Sequence, residues 1–207
     1  RAMALYAVTD RTWLAGRTLP GCVAEVLAGG ATFVQLREKD APHEETVALA
    51  RAILPLCRQA GVPFVVDDDV QAALEAQADG VHVGQDDAAC ADARDLLGPD
   101  KIVGVSVQTV GQALAAQAAG ADYLGVGALF GTPTKPDATL VSLDELRAVC
   151  QAVDVPVVAI GGLNERTVPA LAGTGVDGAA VVSALFAAAD PQAAARTLAA
   201  RVRAVLE

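Results

Sequence analysis

Polar side chains that alternate along one short stretch give the first indication of chemistry. Gln35, Arg37 and Lys39 are two residues apart, so a β-strand would direct all three to the same side. Val34 and Leu36 would face the opposite, apolar side. Arg supplies a planar fork of donors and Lys a compact charge, and both bind phosphate groups well. The spacing therefore predicts a site for a diphosphate.

Carboxylates follow the next two apolar stretches. Asp67, Asp68 and Asp69 come directly after one of them, and Asp86 and Asp87 come after the other. Oxygen ligands suit Mg²⁺, which binds few carboxylates and keeps waters or substrate phosphates in its coordination shell. Asp68 and Asp87 are the predicted ligands. With the basic side chains they predict a metal and diphosphate site in which positive and negative charges nearly balance.

Hydroxyl groups and glycines end the later stretches. The pairs Gly161–Gly162 and Val182–Ser183 can present backbone N–H groups near a helix start. Backbone N–H groups in this position commonly bind phosphate in α/β proteins. The sequence therefore predicts a second anion site on the same face. The remaining candidate residues are Ser106, Thr132, Thr134, Lys135, Gly161, Gly162, Val182 and Ser183.

The elements that must position these residues alternate eight times between short Val/Ile/Leu-rich stretches and longer segments with helical spacing. The predicted strands are Met3–Val8, Thr32–Leu36, Pro63–Val66, Gly80–Val83, Ile102–Val105, Tyr123–Val126, Val155–Ile160 and Gly178–Val182. The predicted helices lie near Val23–Leu27, Glu44–Gln59, Val70–Gln77, Ala88–Leu97, Val110–Ala119, Leu143–Ala152, Glu165–Ala172 and Gln192–Val205.

This alternation predicts an α/β fold, a single (β/α)8 TIM barrel that spans residues 1–207. Several strands are apolar on both faces, as parallel strands covered by helices are. An open doubly wound sheet is the alternative. No G-x-G-x-x-G follows the first strand, so the usual dinucleotide site of that alternative is missing. In a barrel, all the candidate residues would gather at the carboxyl ends of the strands.

Composition narrows the class of protein. The 207 residues carry a net charge of −10, which argues against a nucleic-acid-binding surface, and 53% are hydrophobic, which argues against disorder. No apolar run approaches the length of a membrane span, and the first residues do not read as a signal segment, so we expect neither feature. The four cysteines are widely spaced and show no metal-ligand pattern, so we expect buried thiols in a reducing cytoplasm.

Seven strings of the sequence resemble the thiamine phosphate synthase family, in order and at matching spacing over nearly the whole chain. They are VQLREKD, GVPFVVDDDV, ADGVHVGQDD, GVSVQT, GADYLGVGALFGTPTK, VPVVAIGGL and GVDGAAVVSAL. The resemblance implies a transferase that condenses 4-amino-5-hydroxymethyl-2-methylpyrimidine diphosphate with 4-methyl-5-(2-hydroxyethyl)thiazole phosphate. The products would be thiamine phosphate and diphosphate.

The resemblance also implies roles for the candidate residues. The expected pyrimidine contacts are Gln35 and Ser106; the diphosphate contacts are Arg37, Lys39 and Lys135; the Mg²⁺ ligands are Asp68 and Asp87; and the thiazole phosphate contacts are Thr132, Thr134, Gly162, Val182 and Ser183. The thiazole nitrogen already has a free lone pair, so the reaction needs no catalytic base. We expect Lys135→Ala to lower turnover far more than it weakens thiazole phosphate binding.

Two positions depart from the family pattern. Asp67 stands where the family usually has Asn, and it is either an additional metal ligand, an outward-facing group or the cause of a weakened site. Gln108 stands where the related thiazole tautomerases carry an acid/base His. For His82, in the fourth strand, the sequence favours a packed or hydrogen-bonded structural role; His43 is expected on the surface.

Three functions remain open at this point. The first is the synthase, acting as a monomer or small homo-oligomer without a nucleic-acid or membrane partner. The second is a thiazole tautomerase, which would need neither Mg²⁺ nor a diphosphate. The third is a non-catalytic paralogue that binds a thiamine precursor, which the carboxylate at Asp67 makes conceivable.

Overall fold

The structure, a computed structural model, describes residues 2–84, 90–132 and 139–207. Eight parallel strands pair in sequence order, and β8 pairs with β1, so the sheet closes into a barrel. The strands are β1 (Leu5–Val8), β2 (Phe33–Leu36), β3 (Phe64–Asp67), β4 (Gly80–Val83), β5 (Ile102–Val107), β6 (Tyr123–Val126), β7 (Val157–Ile160) and β8 (Gly178–Val181). The (β/α)8 barrel prediction is confirmed.

Helices cover the outside of this barrel. They are α1 (Leu19–Ala28), α2 (His43–Ala60), α3 (Val70–Ala76), α4 (Cys90–Leu97), α5 (Val110–Ala118), α6 (Leu143–Ala152), α7 (Ser183–Phe186) and α8 (Pro191–Leu206). Two short 3₁₀-helices occupy Arg11–Trp13 and Val168–Leu171. Side chains of the preceding residue cap several of these helices, because a hydroxyl or carboxylate accepts an otherwise unpaired N–H of the first turn. The capping residues are Thr18, Asp69, Thr109, Ser142 and Asp190.

The predicted strand bounds agree with the observed ones to within two residues, but two helix predictions need correction. The first helix begins at Leu19 rather than Val23, because Pro20 lies in the first turn, where its missing N–H is not needed. The predicted helix Glu165–Ala172 is only the 3₁₀-helix Val168–Leu171. Pro169 has no N–H for an α-helical bond, and Ala170 and Ala172 instead donate to residues three positions earlier.

Alternation along each strand separates two hydrophobic layers. In β1, Leu5 and Ala7 face the helices, and Tyr6 and Val8 face the barrel interior. The outer layer is apolar, mostly aliphatic, and continuous between strands and helices. The interior layer is smaller and includes the rings of Tyr6, Phe33 and Tyr123. Because of this division, the interior-facing positions of the strands can carry polar groups that reach the open end of the barrel.

The four cysteines are free thiols that are buried or half-buried, close to the prediction from the sequence. Cys22, Cys57 and Cys90 are buried free thiols, and Cys150 is half-buried. Burial raises the pKa of Cys57 to about 12 and that of Cys150 to about 11, so neither ionises near neutral pH. Among the described residues, none of the helices is both long and apolar enough to cross a membrane.

Candidate active site

A cavity of about 410 Å³ opens at the carboxyl ends of the strands. Its walls come from residues at or beyond the carboxyl ends of all eight strands and from one residue of α5. Eleven of the candidate residues line it: Gln35, Arg37, Lys39, Asp67, Asp68, Ser106, Thr132, Gly161, Gly162, Val182 and Ser183. The predicted Asp87, Thr134 and Lys135 lie outside the described residues, as do Gln85 and Asp86.

The basic side chains of the cavity are positioned by the end of β1. The Thr9 backbone N–H donates to the Gln35 carbonyl at 3.0 Å, and Thr9 Oγ1 accepts from the Arg37 backbone N–H at 3.0 Å. Arg37 Nη1 lies 3.9 Å from Asp10 Oδ2. Arg37 and Lys39 both line the cavity, so the predicted alternation is confirmed.

Glu38 lies on the other side of this segment and stabilises it. Its side chain is only 4% exposed, and its Oε2 lies 2.7 Å from Arg11 Nε. Burial raises the pKa of Glu38, while the guanidinium of Arg11 opposes that rise. Arg11 also pairs with Glu45 at the start of α2. The ion pair therefore connects the ends of β1 and β2 to a helix behind the cavity.

The three consecutive aspartates after β3 have different environments. Asp67 and Asp68 both line the cavity, so the alternative of an outward-facing Asp67 is wrong. Asp68 has φ of 62°, a left-handed conformation that costs on the order of 1 kcal/mol in a non-glycine residue. Its backbone N–H donates to the His82 carbonyl at 2.8 Å, which holds this conformation in place. Asp69 caps α3 and accepts from His43, away from the cavity wall.

His82 lies in the floor of the cavity, a position that the sequence did not predict. Its Nδ1 is 2.8 Å from Tyr123 Oη, and its Nε2 is 2.9 Å from Ser106 Oγ. Burial lowers the pKa of His82 to about 4, so the ring is neutral near neutral pH. The expectation of a hydrogen-bonded structural His is confirmed, although the ring also lines the cavity. Period-2 alternation places His82 on the interior face together with Gly80, and this was the available signal.

A glycine makes room for one of these rings. A Cβ on Gly104 would lie 2.1 Å from Tyr123 Cζ, so only glycine fits beside that ring. The Tyr123 hydroxyl is thus free to sit deep in the barrel, within reach of Tyr6. The small residue in β5 is therefore part of how the fold places aromatic hydroxyl groups under the cavity.

The residues predicted for a second anion site lie in the segments after β6, β7 and β8. Gly161 accepts from the Phe130 backbone N–H at 3.1 Å. A Cβ on Gly162 would lie 2.7 Å from the Gly131 carbonyl oxygen, so this close approach requires glycine. Thr132 and Ser183 line the same cavity as Gly162 and Val182. The fold brings together all the described residues predicted for this site.

Gln108 and Gln112 also line the cavity. Gln108 Nε2 donates to the carbonyls of Gly127 and Thr139 at 3.4 Å each, and its backbone N–H donates to Gln112 Oε1 at 2.7 Å. The sequence singled out Gln108 only as a departure from the tautomerases, and Gln112 not at all. Gln112 lies in α5, outside the strand ends on which the sequence argument concentrated.

Charged groups in the described part of the cavity wall balance. Arg37 and Lys39 contribute two positive charges, and Asp67 and Asp68 contribute two negative ones. No cluster of three or more His, Cys, Asp or Glu side chains suitable for a metal occurs within residues 2–84, 90–132 and 139–207. The cavity can bind an anion through its cations and offers adjacent carboxylates to a hard cation that has other ligands.

Comparison with known proteins agrees with this geometry. The family model described as thiamine monophosphate synthase matches residues 5–185. The thiamine-phosphate synthase of Roseiflexus sp. (strain RS-1) is 47% identical over 204 residues, covering 98% of this chain and 86% of that protein. The enzyme of the same name from Chloroflexus aurantiacus is 49% identical over 199 residues, covering 96% of this chain and 92% of that protein.

A solved structure extends the likeness to three dimensions. Thiamine phosphate pyrophosphorylase from Pyrococcus furiosus superposes with a TM-score of 0.92 at 39% identity, covering 100% of this chain and 98% of that one. 3-Hexulose-6-phosphate synthase, at 21% identity and a TM-score of 0.69, shares the fold alone. From the family model, the full-length relatives and this structural match, the chain belongs to the thiamine monophosphate synthase family, transferases that join the two thiamine precursors.

Proposed function

We propose that the cavity joins 4-amino-5-hydroxymethyl-2-methylpyrimidine diphosphate to 4-methyl-5-(2-hydroxyethyl)thiazole phosphate by assisting departure of the diphosphate. The observation that carries this proposal is the presence of Arg37 and Lys39 beside Asp67 and Asp68 in one cavity at the carboxyl ends of the strands. Cations placed there can take up the charge that develops on a leaving diphosphate, and the mouth of a barrel is where such enzymes act.

Arg37 has the geometry for the largest part of that task. Its backbone N–H is fixed by Thr9, and its guanidinium lies beside Asp10 at the edge of the cavity. A guanidinium held in this way can meet two phosphate oxygens without losing much freedom on binding. Lys39 adds a point charge nearby, and the resemblance to the family assigns Lys135 to the same leaving group. Charge stabilisation that grows as the bond breaks raises turnover more than it raises affinity.

The carboxylates fit a magnesium ion that shares its ligands with the substrate. Asp67 and Asp68 are adjacent and both face the cavity, and carboxylate oxygens are the ligands that Mg²⁺ prefers. Asp68 and Asp87 are the proposed ligands. When bound, Mg²⁺ would supply positive charge next to the diphosphate oxygens. A carboxylate at Asp67 repels a bare diphosphate, so its position beside Asp68 favours a role toward the metal.

The remaining cavity residues suit the two organic partners. We assign Gln35 and Ser106, at the cavity floor, to the pyrimidine ring. Thr132, Gly162 and the Val182–Ser183 segment, with Thr134, are assigned to the thiazole phosphate. The thiazole nitrogen attacks with its own lone pair, so the protein has to orient it and keep water from the electron-poor carbon. The hydrogen-bonded, neutral His82 fits this scheme, since no proton has to be removed from the nucleophile.

One assay tests the proposal and distinguishes a synthase from a thiazole tautomerase and from a non-catalytic carrier. The purified chain is mixed with both substrates, with and without Mg²⁺, and diphosphate and thiamine phosphate are measured. We expect equal amounts of the two products and a strong dependence on Mg²⁺. Isomerisation of the thiazole without diphosphate release would identify a tautomerase. Tight binding of either substrate with no turnover would identify a carrier, and either result overturns the proposal.

A further inference from the structure

A chain of four hydrogen bonds crosses the barrel interior beneath the cavity. Gln35 Nε2 donates to Tyr6 Oη at 2.7 Å, and Tyr6 Oη lies 2.7 Å from Tyr123 Oη. Tyr123 Oη lies 2.8 Å from His82 Nδ1, and His82 Nε2 lies 2.9 Å from Ser106 Oγ. We call these five residues the interior chain. Its two ends, Gln35 and Ser106, line the cavity, while Tyr6 and Tyr123 do not.

The interior chain has a direction, because each hydroxyl group has only one proton to donate. The Gln35 amide nitrogen can only donate, so Tyr6 Oη accepts from it, and the buried Tyr6 hydroxyl needs an acceptor for its own proton, which it donates to Tyr123 Oη. Tyr123 in turn donates to His82 Nδ1. A neutral imidazole with an accepting Nδ1 carries its proton on Nε2, which donates to Ser106 Oγ. The orientation of one amide therefore fixes the tautomer of a histidine three hydrogen bonds away.

Because these groups are buried, it is costly for some hydrogen bonds of the interior chain to run in one direction and the others in the opposite direction. Tyr6 and Tyr123 are at most 2% exposed, and burial raises the pKa of both well above the usual value, so both stay protonated. Turning the Gln35 amide over would make it accept from Tyr6, and every later bond would have to reverse or break. A broken bond would leave a buried polar group unsatisfied. The interior chain thus behaves as one unit with two possible directions.

The direction decides what the cavity floor offers to a ligand. With its amide nitrogen engaged by Tyr6 and also hydrogen-bonded to Tyr123, Gln35 presents its Oε1 to the cavity as an acceptor. Ser106 accepts from His82 and directs its hydroxyl proton elsewhere. An aminopyrimidine carries an amino donor next to a ring-nitrogen acceptor, and the amino donor complements Gln35 Oε1. The corresponding 4-oxopyrimidine carries an oxygen acceptor next to a ring N–H, and would need the amide reversed.

We propose that Tyr6, Tyr123 and His82 are positioning residues that lock Gln35 and Ser106 in the orientation that selects a 4-aminopyrimidine over the 4-oxo analogue. This inference rests on the proposed function, which places the pyrimidine ring on Gln35. It extends that function by naming residues that act through Gln35 and Ser106 and a substrate feature that they discriminate. The proposed selection involves no covalent change; it depends only on which atom donates and which accepts in each hydrogen bond.

The tautomer of His82 tests the direction without any substrate. The chain has only two histidines, so ¹⁵N-histidine labelling gives two ring systems, and a His43→Gln variant assigns them. We expect a neutral His82 with its proton on Nε2. In Gln35→Glu at about pH 8, an ionised carboxylate can only accept, and the proton should move to Nδ1. An Nδ1-protonated ring in the unmodified protein, or an unchanged tautomer in Gln35→Glu, would overturn the inference.

Ligand discrimination tests the consequence. Calorimetry measures binding of the monophosphates of 4-amino-5-hydroxymethyl-2-methylpyrimidine and of its 4-oxo analogue. We expect the unmodified protein to prefer the amino form by about 10²-fold, the scale of an unpaired buried polar group. Tyr6→Phe releases the Gln35 amide and should reduce the ratio to below about tenfold. The control Phe33→Leu alters a ring that packs 4.6 Å from Tyr6, centroid to centroid, but makes no bond of the interior chain, and should keep the ratio.

The outcomes distinguish a failure of the positioning role from a failure of the proposed function. If the unmodified protein binds neither pyrimidine, the proposed function fails. If it prefers the amino form and Tyr6→Phe keeps the full preference, the positioning role fails and the proposed function stands. Thermal unfolding of Tyr6→Phe and Phe33→Leu shows whether each variant is folded at the assay temperature. The tautomer of His82 remains a second readout if Tyr6→Phe does not fold.

Discussion

The layer between barrel and helices differs from the layer inside the barrel. Outside, side chains such as Leu36, Ile53 and Leu124 are fully buried and aliphatic. Inside, the buried side chains include Gln35 and His82, which are hydrogen-bonded within the interior chain. Apolar packing needs no partner of defined direction, whereas buried polar groups do. The difference indicates that the outer layer stabilises the fold, while the inner layer also orients the groups that meet a ligand.

The largest expected loss of stability comes from the outer layer. Ile53→Ala in α2 should lower the free energy of unfolding by about 2–5 kcal/mol, because it removes fully buried methyl groups and leaves a cavity. Diphosphate release per folded molecule should stay the same. Urea unfolding and a titration of active enzyme measure the two quantities. Leu114→Ala, at a side chain that is 45% exposed, is the control and should cost less than about 0.5 kcal/mol.

An intermediate loss is expected inside the barrel, and here stability and activity should fall together. Tyr123→Phe removes one buried hydrogen-bond partner from Tyr6 and one from His82, which should cost about 1–3 kcal/mol in the free energy of unfolding. It should also lower kcat for diphosphate release while the KM for thiazole phosphate changes little. Phe64→Leu in the outer layer is the matched control, with a comparable loss of stability and no loss of kcat. Equal kcat values for Tyr123→Phe and Phe64→Leu would remove the distinction between the layers.

The smallest expected effect lies on the surface, outside both layers. Hydrogen bonds to Asp69 and Glu75 raise the pKa of the exposed His43 above its ordinary 6.5. A raised pKa in the folded state means that the stabilisation is complete below 6.5 and is lost as the pH rises through the folded value. His43→Gln should therefore lower Tm at about pH 5.5 more than at about pH 9. The same decrease in Tm at both values would contradict the assigned ion pairs.

The sequence predicted the fold and the cavity residues at the strand ends for one physical reason. Period-2 alternation and the rule that strand ends face one side of a barrel need no knowledge of register, and they placed Arg37, Lys39, Asp68 and Ser106 in one cavity. The interior chain could not be found in this way. Its contacts join residues 6, 82 and 123 across the barrel, and only the register of the closed sheet brings those positions together.

The sequence predicted too long a helix before β8, because helical spacing around Val168 concealed the effect of Pro169.

Other predictions are not decided by the fold. The roles of the candidate residues, the use of Mg²⁺, the extent of one domain over residues 1–207, the cytoplasmic location and the monomer or small homo-oligomer stay predictions. The residue roles, the metal, the oligomeric state and the location depend on a ligand, a partner or a cell compartment, none of which periodicity encodes.

The central claim is that cations at the carboxyl ends of the strands take up the departing diphosphate. The most direct measurement is the rate of diphosphate release by Arg37→Ala, compared with Arg58→Ala at the opposite end of the barrel, where Arg58 Nη2 donates to the Gln77 carbonyl. We predict a fall in kcat of about 10²–10³-fold for Arg37→Ala, with Arg58→Ala close to the unmodified enzyme. Equal rates for the two variants would contradict the claim.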